Sequence, residues 1–198
     1  MSKPLPTLPK KNDPRFLEFC DFLSDEPVRP AASLAPGNYE NHLAVLEVSV
    51  DPQPNCDLGH CWFNCLDQQY LHGGDVVYGW SLWSCSGVYI AQHHAVWRME
   101  NGVLIDPTPN QGKVGMALFM PDNRAPIDIL GLRSPPNLEW LNAKNFKWLM
   151  GPHKQTDFFI GAMQPAPDQK DRVDRTRMRY LDVTMENRID LRNHHMGI

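Results

Sequence analysis

The segment DVVYGWSLWSCSGVYIAQHHAVWRMENGVLIDPTP, residues 75–109, decides the fold. Two runs rich in Val, Ile, Tyr and Trp lie on either side of Ser86-Gly87, and a Gly-containing dipeptide between such runs is typical of a β-hairpin. The turn ENG follows, and VLIDPTP after it has the composition of a third strand. We therefore expect an antiparallel meander here, with KVGMALFMPD (residues 113–122) as a candidate fourth strand.

Predicted helices surround this meander. HCWFNCLDQQYLH, residues 60–72, predicts a helix of about three turns that Gly73-Gly74 ends. Asp13-Pro14 is typical of a helix N-terminus, and PPNLEWLNAKNFKWLMGP (residues 135–152) has proline and glycine where a helix would start and stop. Together these elements predict an α+β fold, in which the Cys-bearing helix packs on an antiparallel sheet of about four to six strands.

Composition divides the chain into three parts. Residues 1–12 are rich in Pro and Lys and predict a flexible N-terminal arm, whereas residues 13–163 predict a single domain. Residues 164–198 predict a polar tail that is helical or partly ordered. A thin apolar stripe at helical spacing runs along this tail: Met178, Leu181 and Met185. The stripe makes the tail a candidate surface for forming a homo-oligomer.

The composition argues against several classes of partner. The net charge is −4 and the pI is about 6.0, so the chain has no basic field for nucleic acid. No segment approaches the roughly 18 apolar residues of a membrane span, and the N-terminus lacks an apolar run of the signal-peptide kind. Five cysteines, an odd number, do not suggest a secreted disulfide framework. We expect a cytoplasmic protein with reduced thiols and no nucleic-acid or membrane partner.

Three polar residues occupy positions that suit a thiol nucleophile. Cys61 begins a predicted helix, where the macrodipole and the free amides stabilise a thiolate. His94 lies within a predicted strand and Asp106 ends the next one, and neighbouring antiparallel strands bring such residues side by side. A histidine near the thiol serves as base and then as acid, and a carboxylate orients its ring. The order and spacing predict a Cys-His-Asp triad.

Two members of this triad have competitors in the sequence. Cys56 lies in the preceding loop and Cys65 lies one helical turn later. Cys61 is favoured over both because the effect of the helix dipole declines steeply beyond the first turn. His93 and His94 point to opposite faces of a strand, and both faces carry apolar residues, so alternation does not choose between them.

The order of these motifs resembles the core of the transglutaminase-like superfamily, among the papain-like Cys-His-Asp enzymes. In that superfamily a Cys-bearing helix precedes a strand ending near a Gly-aromatic pair, a strand with His-Ala-Trp and a strand ending in Asp-Pro-Thr. The matching pieces here are VVYGW, HAVW and GVLIDPT, within roughly residues 55–120, and HAVWRMENGVLIDPTP is the most specific. The chain looks most like small bacterial or phage members of this group.

The resemblance implies roles for particular residues. It selects His94, directly before Ala-Val-Trp, and it implies Cys61 as the nucleophile and Asp106 as the carboxylate that orients the ring. The implied activity is cysteine-dependent acyl transfer from an amide of a protein or peptide through a thioester. Peptidase, deamidase and transglutaminase-like reactions all fit, with hydrolysis first, and none needs a metal or another cofactor.

Further side chains are candidates for supporting roles. The backbone amide of Cys61 is the first expected oxyanion donor, and Asn55 and Asn64 are candidates for a second donor or a supporting group. Three tryptophans are candidates for lining a substrate cleft, although large aromatic residues more often belong to the core: Trp80, Trp83 and Trp97.

Two other classes of function compete with the enzyme hypothesis. Cys56, Cys61 and Cys65 are candidate ligands of a structural zinc ion, although they do not form the usual CxxC pairs. A non-catalytic binding module on the same scaffold would retain a vestigial triad. Purely structural roles also fit the single residues, because free cysteines are commonly buried and an Asp-Pro pair commonly starts a turn.

Overall fold

The computed structural model describes residues 6–25, 44–110, 114–122 and 135–149, together with positions 174, 175 and 178. The chain divides into two units, Met1–Met163 and Gln164–Ile198. Met178 of the predicted oligomerisation stripe is exposed, whereas Leu181 and Met185 lie outside the described residues. No helix of the described part is long and apolar enough to cross a membrane.

Two helices begin where their sequence signals predict, and the second also ends where Gly73-Gly74 predicts. Helix α1 spans Pro14–Ser24, and the Asp13 side chain caps it by accepting a hydrogen bond from the backbone N–H of Arg15 at 2.9 Å. Helix α2 spans Cys61–His72 and ends at Gly73, whose φ of 71° lies in the left-handed region that glycine adopts without strain. Both helix predictions are confirmed.

The described residues contain seven strands in one sheet: β1 Leu46–Val50, β2 Asp75–Cys85, β3 Val88–Arg98, β4 Leu104–Asp106, β5 Met116–Pro121, β6 Asn137–Asn142 and β7 Asn145–Leu149. Their order is β2-β5-β1-β4-β3-β6-β7, and β2 also pairs with β3. The first five strands of this order therefore close into a small barrel, and β6 and β7 extend from β3. The α+β class is confirmed.

The expected antiparallel sheet of four to six strands is wrong in two respects. The described sheet has seven strands, and β1 pairs with β4 in parallel, with Val50 opposite Asp106. Helix α2 and the β2–β3 hairpin lie between β1 and β4 in the sequence. A pairing across so long a connection leaves no local signal in the sequence, so periodicity could not predict it.

The β2–β3 hairpin is the longest paired unit and has the predicted turn. Ser86 and Gly87 have φ values of 51° and 81°, as a two-residue hairpin turn with the twist of its strands requires. Gly79 on β2 lies opposite His94 on β3 and also opposite Pro121 on β5. A Cβ atom at Gly79 would collide with the carbonyl oxygen of Met120, so glycine lets β2 pair closely on both sides.

The segment predicted as a helix over residues 135–152 is instead the β6–β7 hairpin. Leu138 and Trp140 are fully buried at a spacing of two and lie opposite Ala91 and Tyr89 of β3. Their alternation matches a strand, whereas proline and glycine near the ends punctuate strands as well as helices. The helix prediction was wrong because it relied on the proline and glycine residues near the ends of the segment. The alternation of Leu138 and Trp140 at a spacing of two indicates a strand.

The core has two layers, one on each face of β2 and β3. Val48, Val77, Val96 and Phe119 pack together inside the barrel. On the outer face three side chains of α1, Phe16, Phe19 and Leu23, pack against side chains of β2, β3 and β6: Trp80, Leu82, Tyr89 and Trp140. The two layers bury most of β2 and β3 on both faces.

Part of the segment predicted to be a flexible arm is attached to the sheet. The backbone N–H of Thr7 donates to the carbonyl oxygen of Ser84, and the N–H of Ser84 donates to that of Thr7, both at 2.9 Å. Leu8 packs against the outer core. The described residues of the arm thus continue the pairing of β2, which the Pro- and Lys-rich composition did not indicate.

Candidate active site

The register of β3 and β4 places His94 beside Asp106. Trp97 pairs with Ile105 and Arg98 with Leu104, so His94 and Asp106 lie on the same face of neighbouring strands. Nε2 of His94 lies 2.8 Å from Oδ2 of Asp106. Asp106 is only 4% exposed, so the pair is shielded from water. The predicted contact between these two residues is present.

Cys61 is the first residue of α2, and its side chain is a hydrogen-bond partner of His94. Because Nε2 of the ring is bonded to Asp106, Nδ1 is the nitrogen left for the thiol. Cys61 is 6% exposed and the His94 side chain 12%, so the site is nearly closed but retains access to solvent. The structure therefore brings the three predicted residues together in the order Cys61–His94–Asp106.

The environment favours the protonated form of His94. Burial by itself lowers the pKa of an imidazolium, but the Asp106 carboxylate, the electrostatic interaction with Cys61 and hydrogen bonds to both residues raise it. The net result is a pKa of His94 well above its ordinary value. An imidazolium between a carboxylate and a sulfur suits a thiolate–imidazolium pair, the reactive form of a cysteine nucleophile.

The other two cysteines of the segment lie in different surroundings. Cys65 is 0% exposed, and its pKa is raised well above the usual value, first by burial and then by the charges of Asp106, Cys61 and Cys56. Cys56 is buried, and Nε2 of Gln68 lies 3.7 Å from its sulfur. A thiol that stays protonated and shielded from solvent is a poor nucleophile, so Cys61 is the better candidate than Cys65.

The neighbouring histidine, His93, makes hydrogen bonds that connect secondary-structure elements. His93 is buried on the opposite face of β3, where its Nδ1 accepts a hydrogen bond from Nε1 of Trp62 at 3.1 Å. Its backbone N–H donates to Oδ1 of Asn137 at 2.9 Å. His93 therefore ties α2 and β6 to β3, while His94 faces the thiol.

Asn64 holds the start of α2 in place. Its Oδ1 accepts from the N–H of Asp57 at 3.1 Å, and its Nδ2 donates to the carbonyl oxygen of Asp57 at 2.9 Å and to Oγ1 of Thr108 at 3.0 Å. Both amide hydrogens are used, so Asn64 fits the supporting role rather than that of an oxyanion donor. Asn55 is exposed in the preceding loop.

Thr108 is a contributor that the sequence analysis did not single out. Its N–H donates to Oδ1 of Asp106 at 2.9 Å, while the other carboxylate oxygen binds His94. Asp106 therefore accepts a hydrogen bond within its own turn and also contacts His94, so the turn contact does not exclude the predicted triad role. The signal was in the sequence, because an Asp side chain commonly accepts from the N–H two residues later.

The three candidate cleft tryptophans are all buried. Trp80 donates from Nε1 to Oδ2 of Asp122 at 3.1 Å, and Trp97 donates to the carbonyl oxygen of Gly73 at 2.9 Å, next to the end of α2. Trp83 packs with Cys85 and Ile90. These contacts describe core positions, and the role in lining a cleft stays a prediction.

The described residues do not support the zinc site considered for Cys56, Cys61 and Cys65. Within residues 44–110 and the other described segments, no group of three or more His, Cys, Asp or Glu side chains is arranged to hold a metal ion. Cys61 is hydrogen-bonded to His94, and Cys65 is enclosed in the core.

Comparison with known proteins found no match. No family model, no curated protein and no solved structure matches it. The function of the site has to follow from its own residues.

Proposed function

We propose that this protein is a cysteine-dependent enzyme that transfers the acyl group of a protein or peptide amide through a thioester on Cys61. One observation carries the proposal. The His94 ring lies between the Asp106 carboxylate at 2.8 Å and the Cys61 thiol at the first position of a helix. A structural role explains each residue singly, but it does not explain why the three form a continuous hydrogen-bonded chain.

The steps follow from the positions of the protons. The Cys61 thiol gives its proton to Nδ1 of His94, and the thiolate attacks the carbonyl carbon of the amide. His94 then donates this proton to the leaving nitrogen as the C–N bond breaks, which leaves a thioester. Water attacks the thioester while His94 takes its proton, and the C–S bond breaks to release the acid and the thiol. An amine in place of water would give transglutamination instead of hydrolysis.

Asp106 and α2 supply the electrostatic part of the mechanism. The Asp106 carboxylate holds the ring with Nδ1 toward the sulfur and stabilises the imidazolium, as carboxylates do in other triads. The first amides of a helix have no acceptor within it, so the N–H of Cys61 can donate to the oxyanion that develops on the carbonyl oxygen. Helix start, histidine strand and aspartate strand follow in the same order as in transglutaminase-like domains, which supports that fold as part of the proposal.

Alkylation of single cysteines tests the nucleophile. Iodoacetamide modification, followed by peptide mass mapping, measures every thiol in one sample. Cys20 and Cys65 serve as internal references, because burial raises the pKa of Cys20 to about 12 and that of Cys65 well above its usual value. We expect Cys61 to react fastest near neutral pH and His94→Ala to slow it. A Cys61 rate equal in the two proteins would refute the proposal.

Trapping of the acyl-enzyme tests the reaction class. A panel of Gln, Asn and peptide-amide electrophiles is incubated with the protein, and intact mass reports an adduct. Cys61→Ala should abolish the adduct, whereas Cys85→Ala, a matched change at a buried thiol outside the site, should not. A binding activity that survives Cys61→Ala, with no adduct in the unmodified protein, would favour the non-catalytic module.

A further inference from the structure

The triad is connected back to its own helix by two buried side chains. Asn64 lies three positions after Cys61 on α2 and donates from Nδ2 to Oγ1 of Thr108 at 3.0 Å. Thr108 in turn donates from its N–H to Oδ1 of Asp106 at 2.9 Å. Since Asp106 binds His94 and His94 binds Cys61, the hydrogen bonds leave α2 at its first residue and return to it one turn later.

We propose that Thr108 and Asn64 are positioning residues that set the orientation of the Asp106 carboxylate relative to the helix bearing Cys61. The proposal rests on the proposed function and assigns it two residues that do not touch the substrate. Its physical reason is that one carboxylate oxygen cannot define the plane of its group. The bond from Thr108 to the second oxygen does so, and Asn64 ties Thr108 to the helix.

Burial and the surrounding backbone make this connection rigid. Asn64 is completely buried and Thr108 is buried. Asn64 also holds both the N–H and the carbonyl oxygen of Asp57, just before α2. The carbonyl oxygen of Asp106 accepts from the N–H of Asp51 at 2.9 Å, which fixes the backbone from the side of β1. A small rotation of the carboxylate therefore has to break buried hydrogen bonds.

Two substitutions at one position separate the hydroxyl from the bulk of Thr108. Thr108→Val keeps the shape and removes Oγ1, the acceptor of Asn64, whereas Thr108→Ser keeps the acceptor. We expect Thr108→Val to slow alkylation of Cys61 by about tenfold, which is at the lower end of the losses that follow removal of a hydrogen bond orienting a functional side chain. Thr108→Ser should retain most of the rate. The alkylation rate of Cys61 should increase with pH, and we expect this increase to occur at higher pH in Thr108→Val. The reason is that a misaligned Asp106 carboxylate stabilises the His94 imidazolium less well.

The control removes a hydrogen bond far from the triad. Tyr89 donates from its hydroxyl to Oδ2 of Asp13 at 3.0 Å, on the α1 side of the sheet. Tyr89→Phe loses this bond and should leave the alkylation rate and its pH dependence unchanged. Thermal unfolding of all variants shows what fraction is folded at the assay temperature. If Thr108→Val folds too poorly, Thr108→Ala removes the same hydroxyl without placing a methyl group against Nδ2 of Asn64.

The outcomes separate this inference from the function on which it rests. If Cys61 of the unmodified protein is no more reactive than Cys20 and Cys65, the proposed function fails. If Cys61 is reactive and His94→Ala slows it, but Thr108→Val retains both the rate and the pH profile, only the positioning role is refuted. A Thr108→Ser variant as slow as Thr108→Val would also refute it, because the retained hydroxyl would then have no effect.

Discussion

His93 and His94 are adjacent in the sequence, yet the two faces of β3 give them different surroundings. His93 accepts a hydrogen bond from Trp62 in the core, whereas His94 lies between Asp106 and Cys61. His93 helps to hold α2 and β6 on the sheet, whereas His94 is the side chain that β3 presents to Cys61 of α2. The comparison teaches that the face of a strand, and not the residue type, decides the role of a histidine here.

Substitution of His94 should have the largest effect and should change chemistry. In His94→Ala the thiol loses its proton acceptor, so we expect alkylation of Cys61 near neutral pH to slow by about 100-fold, the lower limit for a general base. Peptide-mapped rate constants measure this. The same substitution at position 93 should leave the rate of the folded fraction within about threefold, because His93 faces away from the sulfur. Equal losses of the alkylation rate in His94→Ala and His93→Ala would contradict the different positions of the two histidines relative to the Cys61 sulfur.

Substitution of His93 should instead change stability. His93→Ala opens a cavity and leaves Nε1 of Trp62 without its acceptor, so we expect a loss of about 3 kcal/mol in the free energy of unfolding. Urea unfolding followed by tryptophan fluorescence measures it. A variant as stable as the unmodified protein would show that His93 is not part of the packing between α2 and the sheet.

The raised pKa of His94 predicts a pH dependence of stability with a definite sign. A group whose pKa is higher in the folded state than in the unfolded state stabilises the fold fully below its unfolded pKa, about 6.5 for histidine. This contribution is lost as the pH rises through the raised pKa. The difference in unfolding free energy between the unmodified protein and His94→Gln should therefore shrink from pH 6 upward, in urea titrations at matched ionic strength. A difference that grows with pH would contradict the charged form of His94.

Substitution of Cys65 should have the smallest effect. This thiol is enclosed in the core and stays protonated, so Cys65→Ala should leave the alkylation rate of Cys61 within about twofold. Loss of one small buried group should cost about 1 kcal/mol in stability. The rate is compared with that of Cys85→Ala. A large loss of Cys61 reactivity in Cys65→Ala alone would assign Cys65 to the site.

Local signals predicted much of the site. The hairpin, the strand ending at Asp106 and the helix starting at Cys61 each depend on residues close in sequence, and each was predicted correctly. Side-chain alternation then placed His94 and Asp106 on one face once their strands were neighbours. Thr108 could also have been found, because its bond to Asp106 belongs to a local turn.

Nonlocal pairing accounts for what the sequence did not reveal. The β6–β7 hairpin was mistaken for a helix, because an apolar segment with punctuated ends fits both structures until β3 provides a strand to pair with. Closure of the five strands into a barrel places Gly79 of β2 between β3 and β5. The residues around Gly79 do not indicate that β2 pairs with a second strand.

The sequence by itself determined which residues of the meander alternate, where α2 begins and which three residue types a cysteine nucleophile needs. The position at the helix start favoured Cys61 and the resemblance favoured His94, but only the tertiary structure gave these two residues surroundings that differ from those of Cys65 and His93. Each difference depends on which side of a helix turn or strand meets another element, and that follows from packing between segments far apart in the chain. The same packing brings Asn64 to Thr108 across 44 positions and completes the circuit of hydrogen bonds around the site.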